Sequence, residues 1–256
     1  MWGAFLAGQA LTELANLPNV SERNRPKLIR VQNWLLFILQ SGQFPAHERA
    51  NVGNTLAQLG DIRFREDYWY LPDEPAVGFI HIPSGPFWMG NSKQKDTYSH
   101  NDEHPQHLVI LPDYFIARFP VTEAQFQSFI SDSGYSTNRY WSEASKEGYW
   151  KDGKITRGSL ALSERLKPES FGYEYSLPNH PVIGVSWYEA LAYCRWLEEK
   201  LRSFATSDRL TDKNSTFWLA IAEGKLTLTL PSEAEWEKAS RGGSVSTSKR
   251  DVRLYP

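Results

Sequence analysis

Apolar positions are arranged in two ways along the chain. Up to about Leu59 they recur at helical spacing in short runs, and from Phe79 onward they break into brief stretches set among turns. In the first part, AFLAGQALTELANL predicts a helix from about Ala4 that stops before Pro18. A second helix is expected to start near Pro26, a residue suited to a first helical turn, and to carry Leu28, Leu35, Leu36, Ile38 and Leu39 up to Gly42. A third begins at Pro45 and carries Val52, Leu56 and Leu59, with Gly60 where helix C-termini favour glycine. Short helices on short links fit the last units of a helical array, and equally a simple helical decoration. No internal repeat is long enough to decide between them.

The second part begins after a charged, aromatic stretch, DIRFREDYWYLPDEP, which reads as a linker wrapping onto the next domain. Strands are expected at Phe79–Ile82 and Phe87–Met89 around the turn Pro83-Ser84-Gly85-Pro86. A second strand pair is expected at His107–Leu111 and Tyr114–Phe119 around Pro112-Asp113. Thr122 and Gln125 form a capping box for a helix through Ile130, and Ser232 and Glu235 form another, with Trp236 and Ala239 inward. Residues 133–178 are irregular, their aromatics pinning a long loop to the core. Ser203–Ser215 is polar and expected to be mobile, and Leu226, Leu228 and Leu230 alternate with threonines as a half-buried strand would.

The chain is organised around NHPVIGVSWYEALAYCRWLEEKL, Asn179–Leu201. Ser186 and Glu189 make a third capping box. Behind it Trp187, Ala190, Leu191, Cys194, Leu197 and Leu201 form one apolar stripe, with Trp187 as its anchor. The expected organisation is a helical segment at 1–60, a linker at 61–78 and an α+β domain rich in loops at 79–256.

With 41% hydrophobic residues among 256, the chain can bury a sizeable core. A net charge of −2 makes no electrostatic case for nucleic acid or an anionic membrane as partner. The single cysteine excludes an intrachain disulfide framework; the N-terminus reads as a poor signal peptide and no apolar run approaches ~20 residues, so the expected compartment is cytoplasmic.

Candidate chemistry is sparse. Asp102, Glu103, His104 and His107 have side chains a divalent ion accepts. Pro105 interrupts them and the segment runs into a strand, so turn and solvent hydrogen bonds are the expectation. Glu233, Glu235 and Glu237 fit the first turn of a helix better than an acid–base pair. Cys194 falls on the apolar stripe and is expected to be buried and inert. The glycine runs at Gly85 and Gly242-Gly243 read as turns rather than phosphate cradles.

GVSWYEALAYCRWL and LPSEAEWEKASRGG, with IPSGPFWMGN, DEHPQHLV and FPVTEAQFQSFI earlier and in the same order, resemble the formylglycine-generating enzyme (sulfatase-modifying factor) family. The resemblance covers about residues 79–256. It implies a C-type-lectin-like fold, represented here by its first part. Enzymes of that family oxidise a cysteine in a sulfatase chain to formylglycine, with oxygen and a copper ion held by two cysteines. Those cysteines and the calcium-binding segments belong to the family's second half, which in family members typically continues with Trp-Gly from the point that Arg253–Pro256 reaches here. No catalytic, cofactor-binding or metal position is therefore carried over, and copper and calcium are expected only in the complete family fold. Residues between Arg202 and Lys225 look like an insertion. Three readings are open: part of an oxidase-type enzyme, a non-catalytic binding module of a larger signalling or defence protein, or one half of an interrupted gene. The expected partner is a protein or peptide ligand, or the remaining half of the domain.

Overall fold

A computed structural model describes residues 2–92, 97–156, 164–212 and 215–241. The Gly242-Gly243 turn and the stretch Arg253–Pro256 lie outside the described residues.

Three helices open the chain: α1 (Trp2–Leu14), α2 (Arg25–Gln40) and α3 (Ala46–Leu59). Pro26 sits in the first turn of α2, and Gly60 closes α3 at φ 92°, a left-handed value that glycine adopts without a steric cost. Phe5, Leu35, Ile38, Val52, Leu56 and Leu59 meet in a core of their own. Gln32 closes the end of this bundle by donating from Nε2 to the carbonyls of Leu59 (2.8 Å) and Gly60 (2.9 Å).

Residues 61–78 fold back on themselves. β1 (Phe64–Arg65) pairs antiparallel with β2 (Leu71–Pro72), and Leu71 is buried in a second, larger core. Next come β3 (Phe79–Ile82), β4 (Gly85–Met89), β5 (His107–Leu111) and β6 (Tyr114–Ala117). Here the structure corrects the expected pairing. β3 pairs with β6 and β4 with β5, in one common register from Phe79↔Ala117 to Met89↔His107. The two pairs are one long ribbon, interrupted where Pro83 and Pro112 have no N–H to give the ladder. Both proline turns are breaks inside straight strands rather than hairpin ends, which pattern reading could not distinguish.

After the ribbon, α4 (Glu123–Ser131) buries Phe126 and Phe129. Residues 133–178 hold the short α5 (Ser142–Lys146), the hairpin of β7 (Trp150–Lys151) and β8 (Lys154–Ile155), and several 3-10 turns. As expected, aromatics pin this stretch: Tyr135, Tyr140, Trp141 and Trp150 are buried, whereas Phe171, Tyr173 and Tyr175 are exposed. The indole N–H groups of Trp141 and Trp150 donate to the carbonyls of Gly134 and Tyr135, both at 2.9 Å.

The long helix α6 (Trp187–Ala205) crosses this core. It continues past Ser203, so Phe204, Ala205 and Leu210 are buried where a mobile segment was expected. α7 (Thr216–Ala222) inserts Phe217, Trp218 and Ile221 into the core, so the supposed insertion is part of the packing. Leu226–Leu230 alternates in exposure but is not a strand; the N–H of Leu228 donates to Glu198 Oε2 at 2.7 Å instead. α8 (Glu233–Ser240) ends the described chain. The architecture is mixed helix and sheet with abundant loops, and among the described residues no helix is long and apolar enough to cross a membrane.

Candidate functional site at the head of the central helix

Ser186 caps α6 as the sequence predicts. Its backbone N–H and its hydroxyl both donate to Glu189 Oε2 at 2.8 Å, and its Oγ accepts from the Glu189 N–H at 3.4 Å. The surroundings of Glu189 go further than a cap. Its carboxylate is 0% exposed and also accepts from the Tyr135 hydroxyl and from both terminal nitrogens of Arg165. Burial works against the Arg165 charge, but the hydrogen bonds it donates to Glu189, together with the electrostatic influence of Glu189, Tyr135 and Glu169, outweigh it and raise its pKa. Burial first, then the neighbouring Glu189 charge, pushes the Tyr135 phenol far above its ordinary range.

The chain is shaped to bring these groups together. Arg165 exchanges backbone hydrogen bonds with Ile155 and donates from Nη1 to the Lys167 carbonyl at 2.8 Å. Gly184, at φ 72°, passes so close to Glu169 that a Cβ there would lie 2.2 Å from the Glu169 carbonyl oxygen. With two serine donors, one phenol and two guanidinium nitrogens on its two oxygens, Glu189 has no lone pair left for a substrate proton. The cluster sets the head of α6 in place; it is not an acid–base centre.

The inward face of α6 is rotated from the expected stripe. Trp187 is 56% exposed, while Glu189, Ala192, Tyr193, Trp196, Leu197, Leu201 and Phe204 are buried. The physical reason is Glu189: a carboxylate paired with Arg165 can occupy a core position that pattern reading reserves for an apolar residue. Trp196, with no exposed surface, is the true anchor, and its indole donates to Asp132 Oδ2 at 2.7 Å.

Cys194 is half-buried rather than buried, and desolvation pushes its thiol up to about 12. His104 is held by its ring nitrogens, Nδ1–H donating to the Asn91 carbonyl at 2.9 Å and Nε2 lying 3.1 Å from Ser99 Oγ. His107 turns to the Pro105 carbonyl at 3.0 Å, and Glu103 accepts from the His100 N–H at 2.8 Å. These are the expected turn hydrogen bonds. Among the described residues no group of three or more His, Cys, Asp or Glu is placed to hold a metal ion.

On α8, Glu235 makes the expected capping box with Ser232. Trp236, expected inward, is 57% exposed; the residue that turns inward is Lys238, 2% exposed, with Nζ donating to the carbonyls of Pro83 (2.7 Å) and Gly85 (3.2 Å). Glu237 accepts from the Gly90 N–H at 2.8 Å and pairs with Arg241 at 2.9 Å. Sequence reasoning missed this clamp, because a lysine and a glutamate in an acidic, exposed-looking helix carry no signal of burial.

Residues 70–253 match the family described as "Sulfatase-modifying factor enzyme 1-like domain". Similar curated proteins include hercynine oxygenase of Mycolicibacterium smegmatis, 28% identical over 67% of this chain and 33% of that protein. The formylglycine-generating enzyme of Thermomonospora curvata is 28% identical over 67% of this chain and 51% of that protein. The serine/threonine-protein kinase Pkn1 of Chlamydia trachomatis is 31% identical over 72% of this chain and 26% of its own length. The chain thus spans about half or less of these relatives. It belongs to the sulfatase-modifying factor family.

The copper that the resemblance implies does not fit the residues present. Such a site takes two thiolates, and this sequence holds one cysteine whose thiol is held protonated.

Proposed function

We propose that residues 70–253 are the framework portion of a formylglycine-generating-type domain of C-type-lectin-like fold, and that this chain by itself does not convert cysteine to formylglycine. One observation carries the reading: the sole thiol, Cys194, is half-buried on α6 and shifted up to about 12, so it supplies neither a thiolate pair nor a ready thiolate for copper(I). The test is incubation with copper, oxygen and a cysteine-containing sulfatase peptide, followed by mass spectrometry and hydrazide trapping. Unchanged peptide is the expected result; a trapped aldehyde would sink the proposal.

The exposed Trp187 and Trp236 support a second reading, a binding module in a reducing, cytoplasmic setting. Each stands in the opening turns of a well-capped helix, so each is presented rigidly to a partner. The partner is a peptide or protein ligand, or the remaining portion of the family domain. In this reading Trp187→Ala and Trp236→Ala keep the melting temperature and lose capture of that partner portion; retained capture by both variants rejects it.

A further inference from the structure

A large concavity lies away from the head of α6, between the helical bundle and the family domain. It is a cleft of about 990 Å³. One wall is the polar face of α4, where Glu123, Gln127, Ser128 and Ser131 recur at helical spacing opposite the buried Phe126 and Phe129. The other wall comes from Gln32 in the middle of α2 and the C-terminal end of α3, with Ile62 and Phe64 supplying apolar surface and Glu66 and Tyr70 at one side.

The cleft is framed by hydrogen bonds between its two walls. Asn179 Nδ2 donates to the Gly53 carbonyl at 3.0 Å and to Asp61 Oδ2 at 2.8 Å, and His180 Nε2 lies 2.8 Å from Asn54 Oδ1. Beneath, Gln125 Nε2 donates to the Tyr70 carbonyl at 2.9 Å. The space is therefore pre-formed, and at the upper end of the size common for small-molecule sites.

Its charge is one-sided. Asp61, Glu66 and Glu123 line it, and among the described residues no Lys or Arg does. Asp61 is neutralised by Arg63 at 2.6 Å. Glu66 and Glu123 are met by hydrogen bonds, from the Tyr70 hydroxyl and the Ile183 backbone N–H, rather than by a cation. Burial raises the Glu123 carboxyl above its ordinary range, and the backbone hydrogen bond from Ile183 offsets only part of that rise. A pocket with one polar wall, an apolar patch at Ile62 and Phe64, and two carboxylates not paired with a cation concentrates cations.

We propose that this cleft binds a small organic cation, a protonated amine or guanidinium on an apolar body. The cationic head sits between Glu123 and Glu66, and the body lies on Ile62 and Phe64. The cleft is independent of the proposed family function, because Cys194, Trp187 and Trp236 do not line it.

The test is calorimetric titration of the full chain at low salt with phenethylamine, and with its uncharged and anionic counterparts 2-phenylethanol and phenylacetate. Saturable binding of phenethylamine at millimolar or tighter affinity is expected, with roughly tenfold preference over the alcohol and none detectable for the acid. Glu123→Gln should lose most of that preference, and the more exposed Glu66→Gln a part of it. Salt at ~1 M should erase the preference by screening. Equal affinity for amine and alcohol, unchanged affinity in both folded variants, or no saturation with the amine would each overturn it.

Discussion

Arg165 grips Glu189 with both terminal nitrogens of its guanidinium, inside the core and at the first turn of the helix that crosses it. A surface ion pair contributes little to stability, but a buried one cannot lose a partner cheaply. Arg165→Met leaves Glu189 with its charge buried and only Ser186 and Tyr135 to satisfy it. The expected loss is about 3–5 kcal/mol, read as a lower urea midpoint at unchanged slope. Replacement of both residues by apolar ones should recover much of that loss. A single variant as stable as the parent would mean the pair is dispensable.

The two tryptophans of α6 predict opposite outcomes. Trp196→Ala removes a ring with no exposed surface and the indole that donates to Asp132, and should cost about 3–5 kcal/mol. Trp187→Ala removes a ring that is 56% exposed and should stay within about 1 kcal/mol of the parent. Chemical denaturation followed by far-UV circular dichroism measures both; reversed magnitudes would restore Trp187 as the anchor.

These residues also show what could be read from sequence. All three expected capping boxes, at Thr122, Ser186 and Ser232, are in place, because a cap is set by residues three apart. The helices of the N-terminal bundle lie close to their expected bounds for the same reason. Failures came where a distant partner decides. Glu189 is buried only because Arg165 reaches it, and that rotates the whole stripe away from Trp187. Lys238 turns inward, in place of Trp236, only because carbonyls of a broken ribbon await it. Strand partners were misassigned because Pro83 and Pro112 look like hairpin turns in sequence and are breaks in one ribbon. In the candidate site, the cap was legible and the ionic cluster built on it was not.

Cys194 should react slowly. A thiol at about 12 rather than the ordinary 9.0 leaves about a thousandfold less thiolate at pH 8. The more basic thiolate is the better nucleophile, which returns part of that factor, so a net slowing of roughly thirtyfold or more against the unfolded chain is expected. The measurement is the rate of disulfide-reagent labelling with and without denaturant. Equal rates would mean an open, ordinary thiol.

Glu143 gives the pH dependence. The hydrogen bond from Arg195 is the largest influence on its carboxyl and holds it at about 2, below the ordinary 4.5. A folded-state value below the unfolded one means the contribution is complete above about 4.5 and is lost as pH falls toward 2. Carbon-detected NMR should place the Glu143 midpoint near 2, and Arg195→Gln should return it to the ordinary carboxylate range. An ordinary midpoint in the parent would mean the pair does not persist in solution.

Lys238 supplies the last prediction, which stems from the ribbon. Pro83 and Pro112 cannot donate, so the ladder between Ile82↔Tyr114 and Gly85↔Leu111 stops and starts again. The carbonyls of Pro83 and Gly85 flank that gap, and Lys238 Nζ donates to both. Desolvation lowers the lysine pKa, so folding strains its charge, and the hydrogen bonds to the carbonyls offset the strain. Lys238→Met keeps the apolar stem of the side chain and removes the donors, leaving acceptors in a site that is 2% exposed. The expected cost is about 1–3 kcal/mol, the penalty for buried polar groups without a partner. The loss should be local. Hydrogen exchange should quicken along β3–β6 and at the Gly90 N–H that Glu237 holds, while the bundle of α1–α3 keeps its protection, since its core is separate. Uniform exchange across ribbon and bundle would mean the two cores unfold as one unit. An unchanged melting temperature would mean water satisfies both carbonyls as well as the ammonium does.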